Sequence, residues 1–240
     1  MEGYGQFCPI ALGAEIFAQR WTPLILRELL LGSHRFSELQ RGVPRISRNL
    51  LVQRLGALEK AGIIERRPRV DRRGYDYYPT PAGEELRPVV HALGAWGYRW
   101  AARKLRPENL DARLLMWFLR RSIKVDRLPA HRVVTRFDFH APDLSPGRSK
   151  HPESFWLVLD RPEVELCLSD PGHEVDLTVR ADVSALTRVY LGHLSLLTTL
   201  RDGSVELIGR RALRAGFHAW LGISGFAPGR RQPAHPATLS

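Results

Sequence analysis

The stretch Pro44-Arg45-Ile46-Ser47-Arg48-Asn49-Leu50-Leu51-Val52-Gln53-Arg54-Leu55-Gly56-Ala57-Leu58-Glu59-Lys60-Ala61-Gly62 decides how the rest of the chain is read. Leu51, Leu55 and Leu58 recur at steps of four and three, the spacing that aligns side chains on one face of a helix. Ser47 can accept a bond from a free N–H of a first turn, and Gly62 suits the position just past a helix end. The pattern predicts a helix capped on both sides, with the leucines inward. At 100° per residue the opposite face carries Asn49, Gln53, Gly56 and Lys60, with Arg48 at the N-terminal turn and Val52 on the flank. Such a face can read bases: Asn and Gln pair with adenine, Arg with guanine, and Val touches a thymine methyl. A merely solvated helix face carries the same residue types, so the flanking sequence must choose between the two.

Upstream, Phe36-Ser37-Glu38-Leu39 followed by Val43 reads as a short helix and turn. Downstream, Ile63 to Arg69 and Tyr75 to Tyr78 read as two strands around Asp71-Arg72-Arg73-Gly74, a doubly basic, Gly-bearing turn. From Arg41 to Arg73 ten basic residues stand against three acids. A helix-turn-helix followed by a basic wing accounts for all of this economically.

Residues from Cys8 to about Leu105 resemble the HxlR-type winged helix-turn-helix regulators of the MarR-like group. The matching motifs are Cys8-Pro9, Arg20-Trp21-Thr22, Leu24-Ile25-Leu26-Arg27-Glu28-Leu29, Arg35-Phe36-Ser37-Glu38-Leu39, Ile46-Ser47, Leu51-Val52-Gln53-Arg54-Leu55, Leu58-Glu59-Lys60-Ala61-Gly62 and Thr80-Pro81-Ala82-Gly83. The resemblance implies double-stranded DNA as partner, with Arg35, Ser47, Arg48, Asn49, Gln53, Arg54, Lys60, Arg72 and Arg73 as candidate contacts. It also implies a candidate redox role for Cys8, because several such regulators sense oxidants or electrophiles through a cysteine at this position. A small buried residue is the alternative for Cys8.

The chain has 240 residues, 44% of them hydrophobic, a formal net charge of +11 and a pI near 10.4. That length allows two modest domains, and the charge favours an anionic partner. The excess concentrates in the first part, +7 for residues 1–105 against +4 for the remainder. No run of 18 apolar residues and no leader pattern appears, so neither a membrane span nor secretion is expected, and a bacterial cytoplasm fits. Cys8 and Cys167 are the two cysteines and lack CxxC spacing, so neither a disulfide framework nor a zinc site is expected.

Ile10 to Phe17 and Trp21 to Leu31 read as helices, the second with Leu24, Ile25, Leu29 and Leu30 as core. Thr80 caps a further helix with Pro81 at its first position, and Leu86, Val89, Val90, Leu93, Trp96 and Trp100 form a stripe about four turns long. That stripe exceeds what a small winged domain covers, which predicts a homodimer; coverage by the second half of the chain is the alternative. Lys104 to Asp111 is the linker. A second domain follows: a helix over Leu114 to Ile123 and strands over Arg132 to His140, Phe155 to Asp160, Glu163 to Asp170 and Glu174 to Arg180. A helix over Val183 to Leu200, a strand over Val205 to Gly209 and a last helix over Arg211 to Leu221 complete it.

That order resembles the sterol-carrier-protein-like fold, with Asp182, Leu186, Gly192 and the Asp202-Gly203 turn before Val205-Glu206-Leu207 fitting its closing segment. The resemblance implies an apolar cavity for a hydrophobic small-molecule effector, with Trp117, Trp156, Leu194, Leu197, Phe217 and Trp220 as candidate lining and core packing as the alternative for each. The chain carries no G-x-S-x-G, P-loop, H-E-x-x-H or dinucleotide fingerprint and no His spacing suited to a metal, so no catalytic site, cofactor or metal is expected. The fold class read from the sequence is α+β. A winged helix-turn-helix DNA-binding and dimerisation domain (1–105) precedes a sterol-carrier-protein-like α/β sandwich (110–224) and a mobile tail (225–240). The expected function is a dimeric, sequence-specific transcriptional regulator gated by a hydrophobic effector or a partner. A carrier of a hydrophobic metabolite and a thiol-based redox regulator acting through Cys8 are the alternatives.

Overall fold

The computed structural model describes residues 3–70, 73–101, 105–140 and 153–227, and it divides into two compact units, Met1–Arg103 and Lys104–Ser240. Arg72 and residues 228–240 of the expected tail lie outside the described residues. The first unit runs α1 (Pro9–Phe17), α2 (Thr22–Leu30), α3 (Phe36–Gly42), α4 (Arg48–Lys60), β1 (Ile64–Pro68), β2 (Tyr75–Pro79), α5 (Pro81–Glu84) and α6 (Arg87–Trp100). The helix expected between Ser47 and Gly62 is α4, with the Ser47 side chain accepting from the Leu50 amide at 3.3 Å. Its inward Leu51, Leu55 and Leu58 join Ile25, Leu26 and Leu29 of α2, Leu39 of α3 and Ile64 of β1 in one buried cluster. Each such side chain removed from water contributes about 2 kcal/mol. Leu24 turns outward instead.

One helix was expected from Thr80 through Trp100, and two are found, with Leu86 between them as the N-cap of α6. The cause is Pro88, at the start of α6, which has no N–H and whose ring collides with a helical carbonyl four residues back. Thr80 caps α5 as expected, accepting from the Gly83 amide at 3.2 Å.

The second unit contains α7 (Ala112–Ser122), β3 (Val133–His140), β4 (Glu153–Asp160), β5 (Glu163–Cys167), β6 (Leu177–Asp182), α8 (Val183–Tyr190), α9 (Leu196–Arg201), β7 (Val205–Gly209) and α10 (Arg211–Trp220). The sheet order is β5-β4-β3-β6-β7, antiparallel throughout except for the parallel pairing of β3 with β6. Side chains alternate across a strand, and the set Val133, Phe137, Phe139, Phe155, Leu157, Leu159, Leu177 and Val179 shares one cluster with Leu115, Trp117, Leu186, Phe217 and Trp220 of the helices. The helices thus pack on one face of the sheet. The helix expected over Val183 to Leu200 is broken into α8 and α9. Gly192 adopts φ +74, a left-handed turn that ends α8, and Ser195 then caps α9.

Among the described residues, one charged side chain is packed inside the first unit. Glu28 of α2 has no exposure. Arg27 pairs with it at 3.0 Å, the Ser33 hydroxyl donates to it at 3.3 Å, and Arg27 also donates to the Gly42 carbonyl at 2.7 Å. Removing one partner of a buried pair leaves the other uncompensated, so Glu28→Ala should destabilise the first unit by about 3 kcal/mol or more. In a urea titration followed by circular dichroism, the transition of the first unit should move to lower urea while that of the second stays in place. An unchanged first midpoint would show that the carboxylate ties nothing.

Candidate nucleic-acid interface

The outward face of α4 and the wing β1–β2 flank the end of α3, and the backbone fixes that arrangement. The Tyr77 amide donates to the His34 carbonyl at 2.8 Å, and Arg35 and Asp76 form an antiparallel bridge, so the segment before α3 pairs with β2. His34 Nδ1 lies 3.0 Å from the Tyr77 carbonyl, which requires the proton on that nitrogen, and the ring stacks on Tyr78 at 4.3 Å. The Glu38 carboxylate accepts from the amides of His34 and Arg35, both at 3.1 Å, closing the N-terminus of α3. Gln40 donates to the Ile46 carbonyl at 3.1 Å across the turn into α4.

A concave groove of about 550 Å³ results. Arg35, Phe36, Ser37 and Gln40 of the α3 end, Arg48 of α4, and Arg69, Arg73, Tyr75, Asp76 and Tyr77 of the wing line it. The Arg48 guanidinium lies over the Phe36 ring at 5.0 Å, which holds the cation in place without neutralising it. Burial pushes the Tyr77 phenol above its ordinary range, with Arg66 lowering it and Glu59 raising it to smaller extents, so the hydroxyl keeps its proton at neutral pH.

The expected contacts divide. Arg35, Arg48 and Arg73 converge on the groove, and Asn49, Gln53 and Lys60 are exposed on the outward side of α4, with Val52 beside them. Ser47 is engaged as the cap of α4. Arg54 lies apart from them: it is half-buried and its guanidinium donates to Gln19 of the α1–α2 connection at 3.4 Å. The reason is angular, since position 54 lies only 60° around the helix from the inward Leu51. Arg69, Ser37, Gln40, Tyr75 and Tyr77 were not singled out from sequence. The signal that could have found Arg69 is hairpin register, because its amide donates to the Gly74 carbonyl at 3.1 Å and so closes the turn.

Residues 16–105 match the family described as HxlR-like helix-turn-helix. The HTH-type transcriptional regulator YkvN of Bacillus subtilis (strain 168) is 32% identical over 118 residues, spanning 43% of this chain and 96% of that protein. The HTH-type transcriptional regulator YtfH of Escherichia coli (strain K12) is 37% identical over 99 residues, 39% of this chain and 75% of its own. The chain belongs to the HxlR-like helix-turn-helix family. Among solved structures, diamide-treated YodB from B. subtilis is 32% identical, covering 40% of this chain and 96% of YodB at a TM-score of 0.33.

Beyond its family-matched segment, this HxlR-like chain places the six expected effector-lining residues apart. Trp117, Phe217 and Trp220 are buried between helices and sheet, and Leu194 packs at the edge of that cluster. Leu197 is exposed. Trp156 lies on the opposite face of the sheet, because its strand neighbours Phe155 and Leu157 take the helix-covered face. The six therefore do not line one space. Trp156 is instead buried beneath the Arg136 guanidinium at 5.6 Å, beside an Arg136–Asp138–Ser154 network of 2.7 Å bonds.

The two thiols differ in setting. Cys8 is the N-cap of α1 and half-buried. Cys167 lies at the end of edge strand β5, where burial first and the neighbouring Glu165 second push its thiol above the ordinary range, keeping it protonated and unreactive. Among the described residues no group of three or more His, Cys, Asp or Glu is placed to hold a metal ion, and no helix is long and apolar enough to cross a membrane.

Proposed function

We propose that this protein is a homodimeric transcriptional regulator that binds duplex DNA, α4 reading bases in the major groove and the wing groove anchoring on phosphates. The observation that carries this reading is the adjacency of two surfaces. An exposed Asn49–Val52–Gln53 face stands beside a groove edged by Arg35, Arg48 and Arg73. Base edges need directional donors and acceptors, whereas phosphates need cations, and the two kinds of group stand side by side in that order. The names of the relatives agree with it. Work on genomic DNA puts the protein in the bacterial cytoplasm.

Dimerisation follows from apolar surface. Neither α1 nor α6 contains a buried residue, and Ile10 of α1 is 81% exposed, Trp96 of α6 56% and Trp100 69%. Exposed apolar surface on two helices of one small domain supports a protein contact. A two-fold partner would set two copies of α4 about one turn of DNA apart. The second unit we read as a sterol-carrier-protein-like regulatory module for a hydrophobic effector, on the strength of its two-layer build and aromatic helix–sheet core. Cys8 offers a thiol route to the same end, because it caps α1, one of the two helices assigned to the dimer.

The base-reading assignment is tested by titrating salt against operator and random duplexes. Asn49→Ala with Gln53→Ala should cost about 1 to 3 kcal/mol per disrupted base contact on operator and little on random DNA. Arg73→Ala should weaken both duplexes alike and reduce the slope of log K against log salt by roughly 0.9 for each phosphate no longer neutralised. If the helix pair affects both duplexes equally and the wing variant leaves the slope alone, the roles are misassigned.

Leu93→Asp with Trp96→Asp should yield monomers in sedimentation equilibrium, and a wild type already monomeric at micromolar concentration would remove the dimer. For gating, operator affinity is measured across a panel of apolar metabolites and with an oxidant, for wild type and Cys8→Ser. A response to a metabolite supports the second unit and an oxidant response abolished in Cys8→Ser supports the thiol, while constant affinity throughout rules out both.

A further inference from the structure

The groove contains an acid where a phosphate-binding surface would be expected to exclude one. Asp76 is the single carboxylate among its described lining residues, in a groove that Arg35, Arg48, Arg69 and Arg73 also line. Its backbone is paired with Arg67 on one flank and bridged to Arg35 on the other. Its Oδ1 is buried without a hydrogen-bond partner, and Arg69 Nε lies 3.8 Å away. A negative charge in this place repels the DNA backbone, so its presence needs a compensating role.

We propose that Asp76 is a positioning residue for DNA binding, whose carboxylate holds the Arg69 guanidinium at the base of the wing so that it meets a backbone phosphate alongside Arg48 and Arg73. The inference rests on the DNA-binding reading above. An arginine free on an exposed hairpin loses much side-chain entropy when it engages a phosphate, and fixing it beforehand removes that cost. The hairpin geometry suits the task. Arg69 and Gly74 close the turn through the Arg69 N–H, and Asp76 of β2 lies two residues beyond Gly74, so the register brings the Arg69 and Asp76 side chains to one face of the hairpin. Arg69 and Asp76 are both mostly buried, at 17% and 22% side-chain exposure, so water screens their attraction less than it does at the exposed pairs of the wing. The neighbouring Arg66 and Arg67 are engaged elsewhere, with Glu59 and Glu65 respectively, and each is stacked on a tyrosine.

Deleting a negative charge from the groove should therefore weaken DNA binding, the opposite of what simple electrostatics predicts. The full-length protein, as wild type, Asp76→Asn, Asp76→Glu, Arg69→Gln and the Asp76→Asn, Arg69→Gln double variant, is titrated with a random-sequence duplex of about three helical turns over a range of salt. Asp76→Asn should lower affinity about fivefold, the upper end of what a partly exposed ion pair contributes. It should also reduce the salt slope by about 0.9 for each phosphate that Arg69 no longer neutralises. Asp76→Glu should recover part of the affinity. In the Arg69→Gln background the same substitution should cost nothing, because its target is gone.

Tighter binding by Asp76→Asn at an unchanged slope would mean that the acid is only a repulsive charge, and the proposal fails. An equal loss of affinity with and without Arg69 would make Asp76 a structural residue of the wing, and the proposal fails again. Should Asp76→Asn unfold the wing by circular dichroism, Arg69→Gln decides alone, a wild-type salt slope overturning the assignment and a reduced one upholding it. A wild type without salt-dependent duplex binding overturns the DNA-binding reading together with this one, whereas normal wild-type binding with tighter Asp76→Asn overturns this one only.

Discussion

The first unit is organised around a carboxylate that no water reaches. Glu28 lies where α2, the turn at Ser33 and the end of α3 meet, and an isolated charge there would be costly. Its tolerance depends on geometry: Arg27 bridges it to the Gly42 carbonyl, and a side chain at Gly42 would collide with the carboxyl. Apolar contacts between α2 and α3 permit sliding, because burying leucine against leucine yields similar energy over a range of offsets. A paired carboxylate permits one offset. With α3 so placed, Gln40 holds the turn at Ile46, Ser47 starts α4, and the leucine face of α4 closes the core.

The same placement of α3 builds the groove. Because the residues just before α3 pair with β2, the wing is an extension of the helix-turn-helix and not an appendage, and its position relative to α4 is set by backbone bonds. Charge is then sorted along it. Arg66 is taken up by Glu59 of α4 and Arg67 by Glu65 of β1, whereas Arg48 is held by an aromatic ring, which orients a guanidinium and leaves its charge available. A count of basic residues cannot distinguish these two conditions, yet they determine which arginines can attract an anion.

Much of this was legible because the governing interactions are local. Leu51, Leu55 and Leu58 specify α4 by period, Ser47 and Thr80 announce their caps, and the turn chemistry around Gly74 marks the hairpin. What escaped depended on single residues that interrupt a good pattern: Pro88 divides α5 from α6, and Gly192 divides α8 from α9. The site was legible where it lies on one helix and obscure where it joins elements. The outward placement of Asn49 and Gln53 follows from angle alone, whereas Arg54, a candidate through the family resemblance, has an angle that places it toward the packing side. Arg69 and Asp76 required the register of two strands. Trp156 escaped for another reason, since a strand buried on both faces offers no alternation from which to tell which side faces the helices.

The division into two closed cores constrains how any signal could pass between them. The buried cluster of the second unit begins at Ala112 and that of the first ends at Ile64, and they share no residue. A molecule filling the second core would therefore touch none of the residues that form the leucine face of α4. Binding energy spent there shifts DNA affinity only by the amount that differs between DNA-competent and incompetent states. A tenfold change in operator affinity requires about 1.4 kcal/mol of such difference. That amount is small beside the burial of one exposed tryptophan such as Trp96 or Trp100 of α6, so the proposed dimer contact would be an economical place for an effector to act.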